Sequence, residues 1–200
     1  MSGIIEKIQA EIESLKWQVA ELNAIIGKQT VDKRGVVLKS PQEHRDEIVE
    51  QAKRDVDYLK DTDGLYTVES GGTFNYACYP EFIVNKEKRT VVVLLRGFRT
   101  KGVRAKGIAK CAPNDCFNSH IGKAIALRRA LGLPVPDEYL NAPQPTEVRV
   151  GDIVDWGWKK LSYKIADGYR VICLNNGEDM TEYAEIKYAK IIDDSRDDCA

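Results

Sequence analysis

The amino-acid sequence predicts an α+β protein with an N-terminal coiled-coil helix, a central antiparallel sheet with packed helices, and a small C-terminal SH3-like β-barrel. Apolar residues recur at spacings of three and four over residues 1–27, as they do in coiled coils. Short β-branched and aromatic runs alternate with turn residues after residue 65, which is typical of strands. Four prolines between residues 134 and 145 separate a last block of short strands from the rest.

The N-terminal segment 1–27 follows a heptad pattern and is predicted to form an oligomerisation helix. The apolar positions of the repeat are Ile5, Ile8, Ile12, Leu15, Val19, Leu22 and Ile26. β-Branched residues at the a positions favour a parallel two-stranded coil, and Ile8 at a d position weakens that preference. So narrow a stripe predicts a homo-oligomer formed through this helix, and the alternative is a helix packed on its own domain.

The composition excludes several classes of protein. The 200 residues include 30 Lys and Arg against 31 Asp and Glu, a net charge of −1, so the chain is not a globally basic nucleic-acid coat protein. A hydrophobic content of 43% is too high for a disordered chain. No apolar run reaches the roughly 20 residues of a membrane span, and the first residues lack a secretory signal pattern. The five Cys, an odd number, fit the reduced thiols of a cytoplasmic protein.

Residues 40–133 are the predicted α+β core domain. A helix is expected to start at Ser40–Glu43, because a capping serine, a proline and a glutamate three residues after the cap form a helix-start pattern. Strands are predicted over 66–68, 82–84, 90–95 and 103–109. A second helix is expected from Asn118 or Ser119 to Gly132. These elements predict a curled antiparallel sheet with helices packed on it.

The remainder of the chain divides into three parts. Residues 134–146 are predicted to be an extended linker, stiffened by its prolines. Residues 147–192 contain short strands with turns at Asp167–Gly168 and Asn175–Gly177, a pattern that fits an SH3-like module. Residues 193–200 form an acidic tail that we expect to be disordered.

Basic residues concentrate in one part of the core domain. From Lys86 to Lys110 the sequence has nine basic residues and one acidic residue, Glu87. This excess predicts a site for a phosphate-bearing partner. The alternative is a solvated sheet face, because exposed strands carry charge by default.

The candidate ligand-binding residues lie on the basic strands and around the start of the second helix. Arginine forks bind diphosphates, a helix N-terminus offers free N–H groups to phosphate, and Phe117 with Tyr76 or Phe74 could stack on a base. Amide and carboxylate groups could bind base or ribose edges. The candidates are Arg96, Arg99, Arg104, Asp115, Phe117, Asn118, Arg128 and Arg129. The alternative role for Phe117 is a core residue that anchors the loop.

Metal binding and catalysis have weaker support in the sequence. Cys111, Cys116 and His120 have the spacing C-x4-C-x3-H, which is loose for zinc, and Cys78 could complete a tetrahedral site. A nucleophilic pair of Cys116 with His120, or of Cys111 with His44, lacks a visible oxyanion site and a third orienting group. No hydrolase, kinase or dinucleotide motif is present. We therefore expect neither enzyme activity nor a cofactor, and zinc binding stays open.

Two adjacent segments carry a resemblance to a known family. They are Gly107–Asn118 (GIAKCAPNDCFN) and Gly122–Leu131 (GKAIALRRAL), which combine a strand, a Cys-x-Pro-x-Asp-x-Phe loop and an Ala-rich helix. The pattern resembles small Bacillus-type phage and prophage accessory proteins. Within that group it is similar to the Thoeris anti-defence sponges of the first described type. The resemblance covers about residues 43–152 and is most specific over 82–133.

The resemblance implies a binding function without catalysis. Sponges of this family bind cyclic ADP-ribose isomers made by bacterial immune enzymes and do not degrade them, and some relatives hold cyclic oligonucleotides. Their ligand pockets form between protomers of an oligomer. The resemblance thus implies a phage-encoded protein of the host cytoplasm that sequesters a cyclic nucleotide signal. The alternative is an oligomeric regulatory adaptor that binds nucleic acid or a host protein.

Overall fold

The computed structural model describes residues 30–31, 37–60, 65–69, 75–155, 162–166, 170–175, 177, 179–180 and 189–196. The heptad segment 1–27 lies outside the described residues, so its coiled coil stays a prediction. No helix in the described ranges is both long and apolar enough to cross a membrane. The described chain is an α+β structure in which both larger sheets are antiparallel.

The described chain contains three helices, two larger sheets and one short hairpin. The helices are α1 (Pro41–Tyr58), α2 (Ser119–Ala130) and α3 (Asp137–Leu140). The core sheet contains β3 (Tyr66–Glu69), β4 (Asn75–Asn85), β5 (Thr90–Gly97) and β6 (Val103–Lys110), in that order. The C-terminal sheet contains β7 (Ile153–Asp155), β8 (Ser162–Ile165), β9 (Val171–Cys173), β10 (Asp179–Met180) and β11 (Lys190–Asp193), in the order β10-β9-β8-β7-β11. Strands β1 (Thr30–Val31) and β2 (Val37–Leu38) pair as a separate hairpin.

Helix α1 begins at the position that the capping pattern predicts. The Ser40 hydroxyl accepts a hydrogen bond from the Glu43 N–H at 3.1 Å, and the Glu43 carboxylate accepts one from the Ser40 N–H at 2.8 Å. This reciprocal pair satisfies two backbone donors that a helix start leaves without partners. Ile48 and Ala52 then bury the inner face of the helix in the core.

The main core lies between the core sheet and helices α1 and α2. Along β5 the buried residues Val91, Val93 and Leu95 alternate with half-exposed ones, as the period of a strand requires. Helix α2 packs very close to β6, because a Cβ added at Gly107 would lie 1.8 Å from the carbonyl oxygen of Ala126. A side chain at this position has no room, so glycine sets the helix-to-sheet distance.

The C-terminal sheet has its own small core. Strands β7 to β10 follow one another as an antiparallel meander, and β11 pairs with β7 on the other side. The core residues are Val154, Tyr163, Ile165, Val171, Cys173 and Ile191, together with Cys116. Because Cys116 precedes helix α2, this second core is continuous with the loop that leads into α2.

Two of the expectations for the C-terminal half are wrong. Part of the predicted linker is a packed helix, since α3 buries Tyr139 to 4% exposure and the Tyr139 hydroxyl bonds the Asp55 carboxylate at 3.2 Å. Residues 193–196 of the predicted disordered tail are ordered, and Asp193, Asp194 and Ser195 are buried. Residues 197–200 lie outside the described chain. In both segments a distant partner stabilises residues whose local composition favours solvent.

Candidate ligand cavity at the start of helix α2

A cavity of about 210 Å³ lies where the loop after β6 enters helix α2. We call it the loop–helix cavity. Its walls come from the end of β6, the loop, the first turns of α2, and residues of α1 and α3. The lining residues are Arg45, Ala109, Lys110, Cys111, Ala112, Asp115, Cys116, Phe117, Asn118, Ile121, Gly122, Ile125, Tyr139, Leu140, Ala142 and Gln144. Three of the eight predicted binding residues, Asp115, Phe117 and Asn118, therefore meet here.

Arg89 shapes the loop that forms one wall of the cavity. Its guanidinium donates to the carbonyl oxygens of Pro113, at 2.8 Å, and of Asp115, and it lies 3.1 Å from the Cys111 sulfur. Arg89 itself has a φ of 51°, a left-handed conformation that is uncommon for a residue with a Cβ. These contacts give the proline-containing loop a defined shape beside the cavity.

Asn118 caps helix α2. Its side-chain oxygen accepts hydrogen bonds from the N–H groups of His120 and Ile121 at 3.0 and 3.1 Å. Its amide nitrogen donates to the Asp194 carboxylate at 3.0 Å. Both ends of the side chain are engaged within the protein, so Asn118 orders the cavity wall and is not free to bind a ligand edge.

Phe117 anchors the loop in the core. Its side chain is 3% exposed, and its backbone exchanges hydrogen bonds with the C-terminal segment through Ile192 and Asp194 at 2.9 and 3.1 Å. A ring this buried does not present a face for stacking, although Phe117 is one of the residues that line the cavity. Of the two roles that the sequence allows for Phe117, the structure shows that of a core residue that anchors the loop.

A buried ion pair holds the back of the cavity. Arg45 is 2% exposed and donates to the Asp194 carboxylate at 2.6 and 2.8 Å and to the Pro143 carbonyl at 2.6 Å. Burial alone would raise the pKa of Asp194, but the hydrogen bond and charge of Arg45, with a bond from Asn118, hold that pKa below its usual value. With a longer contact of 3.4 Å to the Cys116 carbonyl, four of the five N–H groups of Arg45 bond within the protein.

The polar groups left at the rim of the cavity are those of Lys110, Asp115 and Gln144. The Gln144 amide donates to the Asp115 carboxylate at 3.2 Å and accepts from the Cys116 N–H at 2.8 Å. Lys110 and Asp115 are exposed. Lys110 is the last residue of β6 and belongs to the basic segment, so its position beside the loop could be predicted from the sequence. Gln144 lies 28 positions beyond Cys116 in a segment predicted as linker, so nothing local identified it.

The five predicted arginines lie away from the loop–helix cavity. Arg96 binds Glu81 at 2.5 Å, Arg104 lies over the Tyr76 ring at 4.3 Å, and Arg99 is exposed in the β5–β6 turn. That turn is at the other end of β6 from the cavity, roughly 23 Å away for a strand of eight residues.

At the end of α2, Arg128 binds the Asp55 carboxylate at 2.5 Å, and Arg129 donates to the Ile108 carbonyl at 2.6 Å. Burial, with the charge of Asp55, raises the pKa of Tyr139 to about 12. The Tyr139 hydroxyl therefore stays protonated and donates to the same carboxylate. These arginines tie α2 to α1 and to β6.

The cysteines near the cavity have the properties of structural thiols. Burial raises the pKa of Cys111 and of Cys116, although Arg89 and Arg45 respectively oppose the shift. Their sulfurs are therefore protonated at neutral pH and are poor nucleophiles. His120 lies 3.2 Å from the Ser195 carbonyl through Nε2. Among the residues described, no group of three or more His, Cys, Asp or Glu side chains is arranged to hold a metal ion.

No protein-family model, curated protein or solved structure matches the chain. The loop–helix cavity, its chemistry and the sequence resemblance over residues 82–133 are therefore the grounds for a functional proposal.

Proposed function

We propose that the protein binds a nucleotide-type small molecule in the loop–helix cavity and holds it without converting it. More specifically, we propose that the protein is a phage-encoded anti-defence sponge. It would sequester a cyclic ADP-ribose isomer or a cyclic oligonucleotide in the cytoplasm of the host cell. The observation that carries the proposal is the position of the cavity, because it forms at the loop–helix junction that resembles those sponges.

The chemistry of the cavity suits a nucleobase. Ile121, Ile125 and Leu140 give it apolar walls, which favour a planar, weakly hydrated ring. The Asp115 carboxylate at the rim can accept hydrogen bonds from the exocyclic amine or ring N–H of a base. Lys110 at the same rim supplies a charge for a phosphate. In this arrangement Lys110 and Asp115 bind the ligand, and Arg45, Phe117 and Asn118 shape the cavity.

The size of the cavity has a consequence for the oligomer. Pockets that enclose a drug-sized molecule have about 300–1,000 Å³, whereas this cavity has about 210 Å³. One protomer can therefore enclose a base, and the remainder of a cyclic nucleotide extends past the rim. We propose that a second copy, held by the heptad helix of residues 1–27, covers that remainder.

The C-terminal sheet supports the cavity from behind. We propose that it is a small SH3-like barrel, a proposal supported by its five short antiparallel strands and by the pairing of β11 with the first strand of the module, β7. Strand β11 leads into Asp194 and Ser195, which bond Arg45 and the N–H of Ser119. The role of the module in this proposal is to position the first turn of α2.

The test is calorimetric titration of the purified full chain with a panel of cyclic ADP-ribose isomers and cyclic di- and trinucleotides. Chromatography of the recovered ligand checks that it is intact. We expect saturable binding of one panel member with no change in the ligand. Binding with turnover would show an enzyme, and no heat with any member would contradict the proposal.

Variants assign the binding to the cavity. Asp115→Asn and Lys110→Gln each remove one rim charge, and we expect each to weaken binding about tenfold. Ala142→Phe fills the cavity and should abolish binding. The matched controls are Glu87→Gln and Lys53→Gln, which change exposed charges elsewhere on the core domain and should leave affinity unchanged. Equal losses in controls and rim variants would refute the assignment to the cavity.

A further inference from the structure

The core sheet leaves one of its faces uncovered in the described part of the chain. Helices α1 and α2 bury the face that carries Val91, Val93 and Leu95. On the other face, the pairing aligns Ile83 of β4, Val92 of β5 and Ile108 of β6 in one row across three strands. Ile83 and Ile108 are 45% and 44% exposed. An apolar row of this kind on an open sheet is unusual for a solvated surface and indicates a binding face.

Positive charge surrounds this open face. Residues 90–110, which form β5, β6 and their turn, contain six basic residues and no acidic one. Lys106 pairs with Leu94 on the open face, next to the apolar row, and Lys106 is exposed. Arg96, which follows on β5, binds Glu81 of β4 at 2.5 Å. An anionic partner is therefore the one that this face attracts.

Aromatic rings lie at the turn end of the same face. Phe98 is 55% exposed in the β5–β6 turn, and Tyr79 pairs with Arg96. The Lys101 ammonium lies 4.9 Å from the centre of the Tyr79 ring and 5.5 Å from that of Phe98. One cation thus lies over two rings, and the outer side of Phe98 remains open to solvent.

We propose that this open face binds single-stranded nucleic acid. Bases of an unpaired strand stack on exposed aromatic rings, and their phosphates are met by neighbouring lysines and arginines; aromatic platforms within basic grooves are how such strands are bound without base readout. Phe98 and Tyr79 are the stacking residues, and Lys101 and Lys106 bind phosphates. The bases of a duplex are already stacked on one another and cannot stack on the rings. An unpaired strand is therefore the partner that fits this face. This site is separate from the loop–helix cavity and does not depend on the function proposed for it.

The test measures fluorescence anisotropy of labelled thymidine and uridine oligonucleotides of about 12 nucleotides, with a duplex of the same length for comparison. The full chain is titrated at several salt concentrations between about 50 and 200 mM. We expect binding to single strands in preference to the duplex. The logarithm of the binding constant should fall with a slope of about −1.4 against the logarithm of salt, as for about two neutralised phosphates.

Variants separate stacking from charge. Phe98→Leu combined with Tyr79→Leu keeps apolar side chains but removes the rings, and we expect single-strand affinity to fall fivefold or more with little change in the salt slope. Lys101→Gln with Lys106→Gln should lower both the affinity and the slope. The control is Lys53→Gln on helix α1, on the other side of the sheet, which should bind as the unmodified chain does. Circular dichroism verifies that each variant is folded.

Three results would overturn the proposal. They are no binding to any oligonucleotide, equal affinity for duplex and single strand, and unchanged affinity after loss of both rings. The first would leave the apolar row to a second copy or to the N-terminal segment. The others would reduce the interaction to general attraction between the basic strands and any polyanion.

Discussion

Replacing Arg45 with methionine should destabilise the protein far more than replacing an exposed arginine. Arg45 is 2% exposed, and its guanidinium binds the Asp194 carboxylate twice and the carbonyl oxygens of Pro143 and Cys116. Arg45→Met leaves the Asp194 charge buried without its partner. Removing one member of a buried ion pair costs about 3–5 kcal/mol of unfolding free energy.

The matched control is Arg149→Met. Arg149 binds Asp46 at 2.7 Å, but both side chains are 36% exposed. Exposed pairs of this kind contribute about 0–1 kcal/mol. Urea denaturation followed by circular dichroism gives both free energies, and the thermal midpoint should fall by roughly 6–20 °C for Arg45→Met, at 2–4 °C per kcal/mol. An Arg45→Met variant as stable as Arg149→Met would refute the reasoning.

The pH dependence tests the same argument by its sign. In the intact protein the pKa of Asp194 is lowered, so the unfolded state binds more protons and the ion pair's contribution is lost as pH falls below about 4. In Arg45→Met, burial of Asp194 is opposed only by the hydrogen bond from Asn118 and the charge of Arg196, so the balance moves toward the neutral form of Asp194. The difference in stability between the two proteins should therefore be largest near neutral pH and should shrink in acid. Adding Asp194→Asn to Arg45→Met should recover part of the loss at neutral pH.

Three further substitutions test the packing around helix α2. Phe117→Ala should cost about 3–5 kcal/mol of unfolding free energy, because it empties a buried site; any loss of ligand binding in that variant has to be compared with its stability in urea. Gly107→Ala should destabilise by about 1–3 kcal/mol or more, because the new methyl group meets the Ala126 backbone, and an unchanged urea midpoint would contradict the close approach. Arg128→Met leaves Asp55, which is 7% exposed, with Tyr139 as a neutral partner and should lower the thermal midpoint more than Arg129→Met, whose lost partner is one carbonyl.

Helix starts could be predicted because their chemistry is local. Ser40 and Glu43 satisfy each other within four residues, and Asn118 caps α2 through two nearby N–H groups, those of His120 and Ile121. The strands of the core sheet follow from their β-branched alternation in the same way. In each case the residues that decide the structure are neighbours in the sequence.

The failures have the opposite cause. Asp194 belongs to an acidic segment that would be solvated in isolation, and its partner is 149 positions away at Arg45. From the sequence, Arg128 is predicted to bind phosphate from a helix face. In the structure it binds the carboxylate of Asp55, which lies 73 positions earlier. The sequence allows Phe117 to be either a stacking ring or a core anchor. The choice depends on how deeply its side chain, which is 3% exposed, is buried in the fold. An ion pair between residues far apart in the sequence cannot be predicted from the pattern of either segment alone.

The tie between the first helix and the last described residues also affects how the chain is made. Ribosomes add about 5–20 residues per second, so the 149 positions between Arg45 and Asp194 correspond to roughly 7–30 s of synthesis. During that interval helix α1 can form and pack on the sheet while the Arg45 guanidinium is still hydrated. The first turn of α2 becomes fully bonded only when Ser195 emerges, since its hydroxyl accepts from the Ser119 N–H. The loop–helix cavity is therefore completed only after β11 and Ser195 have been made, and a nascent chain that lacks them exposes the unfinished wall to solvent.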